Sequence, residues 1–236
     1  TEMTIQRLLE KSHNLGTVMV AENIENEEFY NTWKMLGFGS SLGLMPGTEN
    51  PGVLRHYSNW GLADKRSLSF GHGPMNTNLA QLARAYLVFA NEGAIPSLKL
   101  FKDNSTPDNL EQVFSPESTK RIAEILDSVA SDNGSGYRAV IDGYSVAGKT
   151  GTAEMVVDGK YSKDGAKRTY FIGFSPAENP KYIMAVRREY PKKCFVWWDP
   201  TMRNRCEGSN SASIAFQKAM KRILINDPDI KSKFEG

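Results

Sequence analysis

Val146-Ala147-Gly148-Lys149-Thr150-Gly151-Thr152-Ala153-Glu154 is the stretch on which the reading of this chain turns. Glycines flank a Lys-Thr pair, a second threonine follows, and Met155-Val156-Val157 continues the run as a strand. Asp158-Gly159 reads as the turn that ends it. An extended edge carrying an ammonium group, two hydroxyls and backbone amides suits an anionic ligand. The glycines allow a ligand or a neighbouring backbone to come close.

Downstream the pattern stays extended. In Arg168–Ser175, Tyr170, Ile172 and Phe174 alternate with Phe171, Gly173 and Ser175, and a Pro176–Pro180 turn precedes Tyr182–Arg188. With the strand over 145–157 these form an antiparallel meander joined by short links. Ser211–Ile225 predicts a helix that buries Ala215, Phe216, Ala219, Met220 and Ile223 against that sheet. The long connection over 190–210 holds Trp197-Trp198 and both cysteines. Three strands leave an open edge unless further residues cover it.

Upstream the period changes to that of helices. Ile5, Leu8 and Leu9 share a face over 3–11, and Phe29, Tyr30, Trp33 and Leu36 share one over 26–36 before Gly37. Leu79, Leu82, Ala83, Tyr86 and Ala90 define a helix over 76–91 that Gly93 stops. Ser115-Pro116 opens another, with Thr119, Ile122, Leu126 and Val129 on one side. The expectation is an α+β chain, mainly helical over 1–136, with sheet strands and a C-terminal helix over 137–236.

The chain has 236 residues, enough for one large domain or two smaller lobes. Its 29 basic and 27 acidic residues give a formal charge of +2, which argues against a nucleic-acid surface. No run approaches 18 apolar residues, and the first residues have neither a basic leader nor an apolar core. Cys194 and Cys206 are open to one bridge or to separate thiols. A metal site is disfavoured because no histidine lies near them.

Lys149 admits several readings. A surface lysine in a glycine-bearing turn is the plainest. Gly143, four residues, then Gly148-Lys149-Thr150 matches the nucleotide-binding P-loop pattern. That loop must deliver its lysine onto a helix N-terminus, where amides converge on phosphate. Here the lysine enters a strand, so an NTPase is a minor alternative. The reading that gains most joins two segments: Ser12-His13-Asn14 offers a hydroxyl and an amide two residues apart after a helix, and Lys149-Thr150-Gly151-Thr152 offers a cation and hydroxyls.

With those two motifs the chain resembles the transpeptidase domain of class B penicillin-binding proteins, the cell-division type that cross-links septal peptidoglycan. The resemblance spans almost the whole chain. It runs through Lys11–Gly16, Met35–Gly39, Ser69–Gly73, Leu79–Tyr86, Gly148–Ala153 and Phe171–Pro176. Serine β-lactamases share the paired motifs but not the intervening segments. The resemblance implies a penicillin-binding protein and serine β-lactamase-like α+β fold, incomplete at its N-terminus, with a helical lobe and an antiparallel sheet covered by the C-terminal helix.

It also implies a chemistry. In that family a serine attacks the carbonyl between two terminal D-alanines of a stem peptide. D-alanine leaves, an acyl-enzyme forms, and an amine from a neighbouring stem peptide completes the cross-link. By resemblance Ser12 passes protons around the nucleophile, and Asn14 holds a nearby lysine and the substrate's amide. His13 is a variable position with a structural role. Lys149 supplies positive potential and supports Ser12. Thr150 and Thr152 address the substrate carboxylate, the Thr152 amide forms half of an oxyanion hole, and Gly151 keeps the strand approachable. The role of the Gly71-His72-Gly73 loop stays open. The expectation is that 149–152 lies beside 12 and 14 as two walls of one peptide cleft. No metal or organic cofactor is implied.

One part is missing. The family's nucleophile lies in an S-x-x-K motif, and no serine here has a lysine three residues later. Ser118 and Ser135 have Arg121 and Arg138 at that offset, and arginine is a poor base. The chain alone is therefore expected to be inactive, with no catalytic nucleophile of its own. It is read as a fragment of a longer enzyme, as a piece completed by another polypeptide, or as a non-catalytic remnant that binds wall peptide or division proteins. The implied parent binds peptidoglycan stem peptides and β-lactams, works with division-complex membrane proteins, and is anchored in the bacterial cytoplasmic membrane with this region outside.

Overall fold

The computed structural model describes residues 3–101, 110–157, 160–162, 166–192, 194 and 206–234. The expected turn at Asp158-Gly159 and the tryptophans of the 190–210 connection lie outside the described residues. Contacts divide the chain into two compact units, residues 1–8 with 13–122, and residues 9–12 with 123–236.

The first unit is built on short helices: α1 (Ile5–Lys11, whose last residues belong to the second unit), α2 (Asn14–Ala21), α3 (Asn26–Met35), α4 (Leu62–Leu68) and α5 (Leu79–Ala90). Two-residue strands β1 (Val53–Leu54) and β2 (Met75–Asn76) pair antiparallel, as do β3 (Ala94–Pro96) and β4 (Leu110–Gln112). The expected apolar face of α3 is present but none of its residues is fully buried. Its rings join a layer of aromatic contacts instead: Phe29 edge-on with Trp33 and Trp60, and tilted pairs of Tyr30 with His56 and Trp33 with Phe38, with centroids 5.0–6.1 Å apart. Such pairs add stability beyond their buried area.

Helix α5 begins with a capping box, which is why it starts later than the apolar period suggested. Asn78 accepts the Gln81 N–H, and Gln81 Oε1 accepts the Asn78 N–H. Gln81 is fully buried and also donates to three loop carbonyls, Gly37 at 3.1 Å, Ser40 at 2.9 Å and Pro51 at 2.7 Å. One amide thus ties the glycine-rich 37–55 connection to the unit's main helix.

In the second unit, β5 (Ala147–Glu154), β8 (Lys167–Ser175) and β9 (Tyr182–Glu189) form the expected antiparallel sheet in the order β5-β8-β9. The predicted 145–157 strand is two pieces. Met155 is buried and breaks the run, and β6 (Val156–Val157) pairs with β7 (Lys160–Tyr161) rather than with β8. Helix α6 (Pro116–Val129) begins in the first unit and ends in the second, burying Thr119, Leu126 and Val129.

Helix α7 (Ala212–Asn226) covers the sheet. Its buried stripe is Ala212, Phe216, Met220 and Leu224, a single ridge at four-residue spacing. Ala219, expected inside, is exposed, and Ile223 is only half-buried. Phe216 meets Phe171 of β8 with centroids 4.6 Å apart, in a core with Ala130, Ala139, Ile141 and Val146. Central β8 is buried on both faces, since α7 lies on one side and its own Ile172 and Phe174 are covered on the other. Cys194 and Cys206 are buried and joined as a disulfide, which resolves the open question of their state.

Replacing Gln81 by Leu strands the Asn78 amide and three carbonyls. An expected loss of about 3 kcal/mol in denaturant unfolding, with easier proteolysis within 37–51, checks the role of this residue.

Candidate active site

The site begins where α1 ends. Ser12 N–H donates to the Leu9 carbonyl at 3.2 Å and His13 N–H to the Leu8 carbonyl at 3.0 Å. These two bonds are those of a helix-terminating Schellman motif, whose left-handed position is usually glycine. Here Ser12 occupies it, with φ of 53°. A side chain in that conformation costs about 1 kcal/mol or more. His13 then caps α2 by accepting the Gly16 N–H on Nδ1 at 3.0 Å, a structural role of the kind expected. Asn14 is the first residue of α2, in the first unit.

Within the second unit Ser12 meets Lys149. Lys149 Nζ donates to Ser12 Oγ at 2.9 Å and to its neighbour's carbonyl, Thr150 O, at 3.2 Å. Burial disfavours the ammonium and pulls its pKa down to about 8. The residue is half-buried as a whole. Thr150 donates its hydroxyl to Ser135 Oγ at 3.2 Å. Ser135 belongs to the loop after α6, and that loop is tied to the same helix end. Ser135 N–H donates to Glu10 O at 3.0 Å, and Lys11 Nζ donates to Asn133 O at 2.9 Å. Sequence reasoning weighed Ser135 only as a nucleophile; the polar, glycine-bearing loop Asp132–Gly136 after α6 was the available signal for a turn there.

Thr152 is exposed on β5, and its hydroxyl oxygen accepts the Gly208 N–H at 2.9 Å. A Cβ on Gly151 would lie 3.3 Å from Tyr170 Cβ, so the glycine admits a neighbouring side chain. A Cβ on Gly148 would lie 2.6 Å from the Phe171 ring, which fixes that position by packing beneath the strand.

The P-loop alternative fails on this geometry. Lys149 and Thr150 lie inside β5 and pair with Ile172 and Phe171, so no helix N-terminus gathers amides around a phosphate. Gly143 sits in a turn, with φ of 84°, whose carbonyl accepts the Lys233 N–H.

A family profile described as the penicillin binding protein transpeptidase domain matches residues 1–220. The chain belongs to that family. The probable peptidoglycan D,D-transpeptidase PbpC of Pseudomonas aeruginosa is 37% identical over 193 residues, covering 81% of this chain and 33% of that protein. The peptidoglycan D,D-transpeptidase FtsI of Buchnera aphidicola is 34% identical over 230 residues, covering 94% of this chain and 37% of that protein. The chain thus spans about a third of the length of these relatives. The apo transpeptidase domain of Burkholderia pseudomallei penicillin-binding protein 3 superposes with a TM-score of 0.82 at 29% identity, covering 97% of this chain and 67% of that one. The expected class B, cell-division-type resemblance and its α+β fold are borne out.

Two predictions isolate the costs at this site. Ser12→Ala and Ser12→Gly both remove the hydroxyl, but only alanine keeps a Cβ in the left-handed conformation. The glycine variant is expected to unfold at higher denaturant, by about 1 kcal/mol. For Lys149, the folded pKa lies below the ordinary 10.5, so between pH 8 and 10.5 the unfolded chain holds more protons and stability rises with pH. The stability of wild type relative to Lys149→Met is expected to rise across that window, by no more than about 3 kcal/mol. A difference that is flat with pH would contradict the desolvated ammonium.

Proposed function

We propose that this chain supplies the proton-relay and carboxylate-binding part of a serine D,D-transpeptidase that cross-links peptidoglycan stem peptides and binds penicillin. The Lys149–Ser12 hydrogen bond is the observation that carries the reading. It joins a desolvated ammonium to a hydroxyl whose backbone is held in a left-handed conformation, and strain of that kind concentrates at functional sites.

In this reading Lys149 is the fixed positive charge, and the hydroxyls of Thr152 and of Thr150, which turns its proton from Ser135 to the ligand, bind the terminal carboxylate of the peptide. Ser12 moves a proton between the nucleophile and the departing D-alanine, with Lys149 holding its oxygen. Asn14 takes the substrate amide. The Thr152 amide receives half of the developing oxyanion charge, a contribution of about 3 kcal/mol when well aimed. Gly151 permits close approach of the peptide to the strand. These 236 residues contain no serine followed three positions later by lysine, so the acylating Ser–Lys pair comes from polypeptide beyond them.

The whole enzyme would act in septal wall synthesis, outside the cytoplasmic membrane and held to it, beside division-complex membrane proteins. No helix among the described residues is long and apolar enough to cross a membrane. The absence of S-x-x-K also favours a second reading, a non-catalytic chain that holds wall peptide or a division protein through the same site.

A fluorescent penicillin tests the assignment. The chain by itself is expected to take no covalent label, whereas mixing it with a polypeptide carrying the family's S-x-x-K segment is expected to give a hydroxylamine-labile adduct. The adduct should fall at least tenfold with Lys149→Ala. A hydroxylamine-labile label on the chain alone would refute the missing-nucleophile assignment. Reversible binding of wall peptide without any adduct in the mixture would select the non-catalytic reading.

A further inference from the structure

The turn ahead of α7 has no part in the roles assigned above, yet it touches the site strand. We propose that the backbone N–H of Gly208, held by the Cys194–Cys206 disulfide, positions the Thr152 hydroxyl for a ligand carboxylate. The inference rests on the carboxylate-binding reading of β5 and adds a device that the reading does not contain.

Gly208 N–H donates to Thr152 Oγ1 at 2.9 Å. A hydroxyl has one proton to give and two lone pairs to receive. With the oxygen accepting from Gly208, the hydroxyl gives its own proton, which is the polarity a carboxylate requires. A hydroxyl left without that partner turns freely between donor and acceptor orientations. Thr152 is exposed, so its proton can reach a ligand.

The turn is fixed on several sides. The Gly208 carbonyl accepts both the N–H and the hydroxyl of Ser213, each at 2.9 Å. Glu207 N–H donates to Asn210 Oδ1 at 2.7 Å, and buried Ser211 shares a 3.0 Å hydroxyl contact with Thr169 of β8. A Cβ on Gly208 would lie 2.7 Å from Gly151 O and 2.9 Å from Tyr170 O, so the turn rests directly on paired backbone of β5 and β8. Cys206, two residues before Gly208, is bridged to Cys194, five residues past the end of β9. The bridge closes a 12-residue separation in sequence and fixes the residue two positions ahead of Gly208 by a covalent bond.

The test uses N-acetyl-D-alanyl-D-alanine and its C-terminal amide as probes, titrated into the chain with the bridge intact and into Cys194→Ala/Cys206→Ala. Loss of the bridge is expected to weaken the acid about tenfold, as for one hydrogen bond to a charged group. It should leave the amide unchanged and have no further effect in a Thr152→Val background. Equal affinity for the acid with and without the bridge, or an equal loss for acid and amide, overturns the inference. Should the double variant fail to fold, the bridge is opened in the folded chain with a phosphine, which leaves as its oxide while water supplies the oxygen and the two thiol protons.

A second readout needs no ligand: amide exchange at Gly208 is expected to quicken at least several-fold in Thr152→Val and on loss of the bridge, while Tyr170 stays protected. Unchanged Gly208 exchange overturns the inference. If the intact chain binds neither acid nor amide while Gly208 responds as expected, the carboxylate reading of β5 fails and the Gly208–Thr152 contact stands.

Discussion

The second unit depends on where the Phe171 ring lies. Phe171 is fully buried on the central strand, against Phe216 of the covering helix. Its edge occupies the space that side chains at Gly148 and Gly173 would need, and those two glycines face each other in register. The sheet can hold a large ring so close to its backbone only because both partners lack a Cβ. The position before Lys149 is therefore set from beneath the strand. Burial of a ring this size is a stabilisation of about 2 kcal/mol or more, anchoring β8, the strand with which the lysine's strand pairs.

At this sheet the site keeps two arrangements that are unfavourable by themselves. Ser12 adopts a backbone conformation that glycine would hold at lower cost, and Lys149 keeps an ammonium end where water has been removed. The serine relieves part of the lysine's cost, since its oxygen gives the ammonium a hydrogen-bond partner. The loop carrying Ser135 braces the same helix end through Glu10 and Lys11. The device is local: Ser12, the lysine of β5 and the loop carrying Ser135 all belong to one compact unit.

Much of this was legible in the sequence because regular elements declare themselves by period. The meander, the terminal helix and the helices expected over 3–11, 26–36 and 76–91 follow from spacing alone, though the last begins at Leu79. The lysine strand and the serine that meets it were recognised as a pair across 137 positions only through family resemblance. Spacing could not show that Met155 would end β5, because a buried methionine fits a continuing strand equally well. Nor could it choose between Ala219 and Leu224 on α7, since both lie near the apolar face and the difference is one ridge of packing. The left-handed Ser12 was invisible, because serine is an unremarkable residue until the two closing hydrogen bonds of the helix end are seen.

The contacts least legible in advance are those in which backbone acts as a side chain. Gly208 approaches Thr152 across 56 residues and offers only an amide, so no residue type advertises it. Its lack of a Cβ has a steric reason in the carbonyls of Gly151 and Tyr170, and a glycine among Glu207, Ser209 and Asn210 reads as an ordinary turn. The disulfide gives that turn a covalent origin while the sheet gives it a floor. A threonine whose oxygen is already occupied presents one proton in one direction, and this narrows what can bind more than the hydroxyl alone would. In the proposed reading, the selectivity of the β5 edge for carboxylates is a property of the covering turn as much as of the strand.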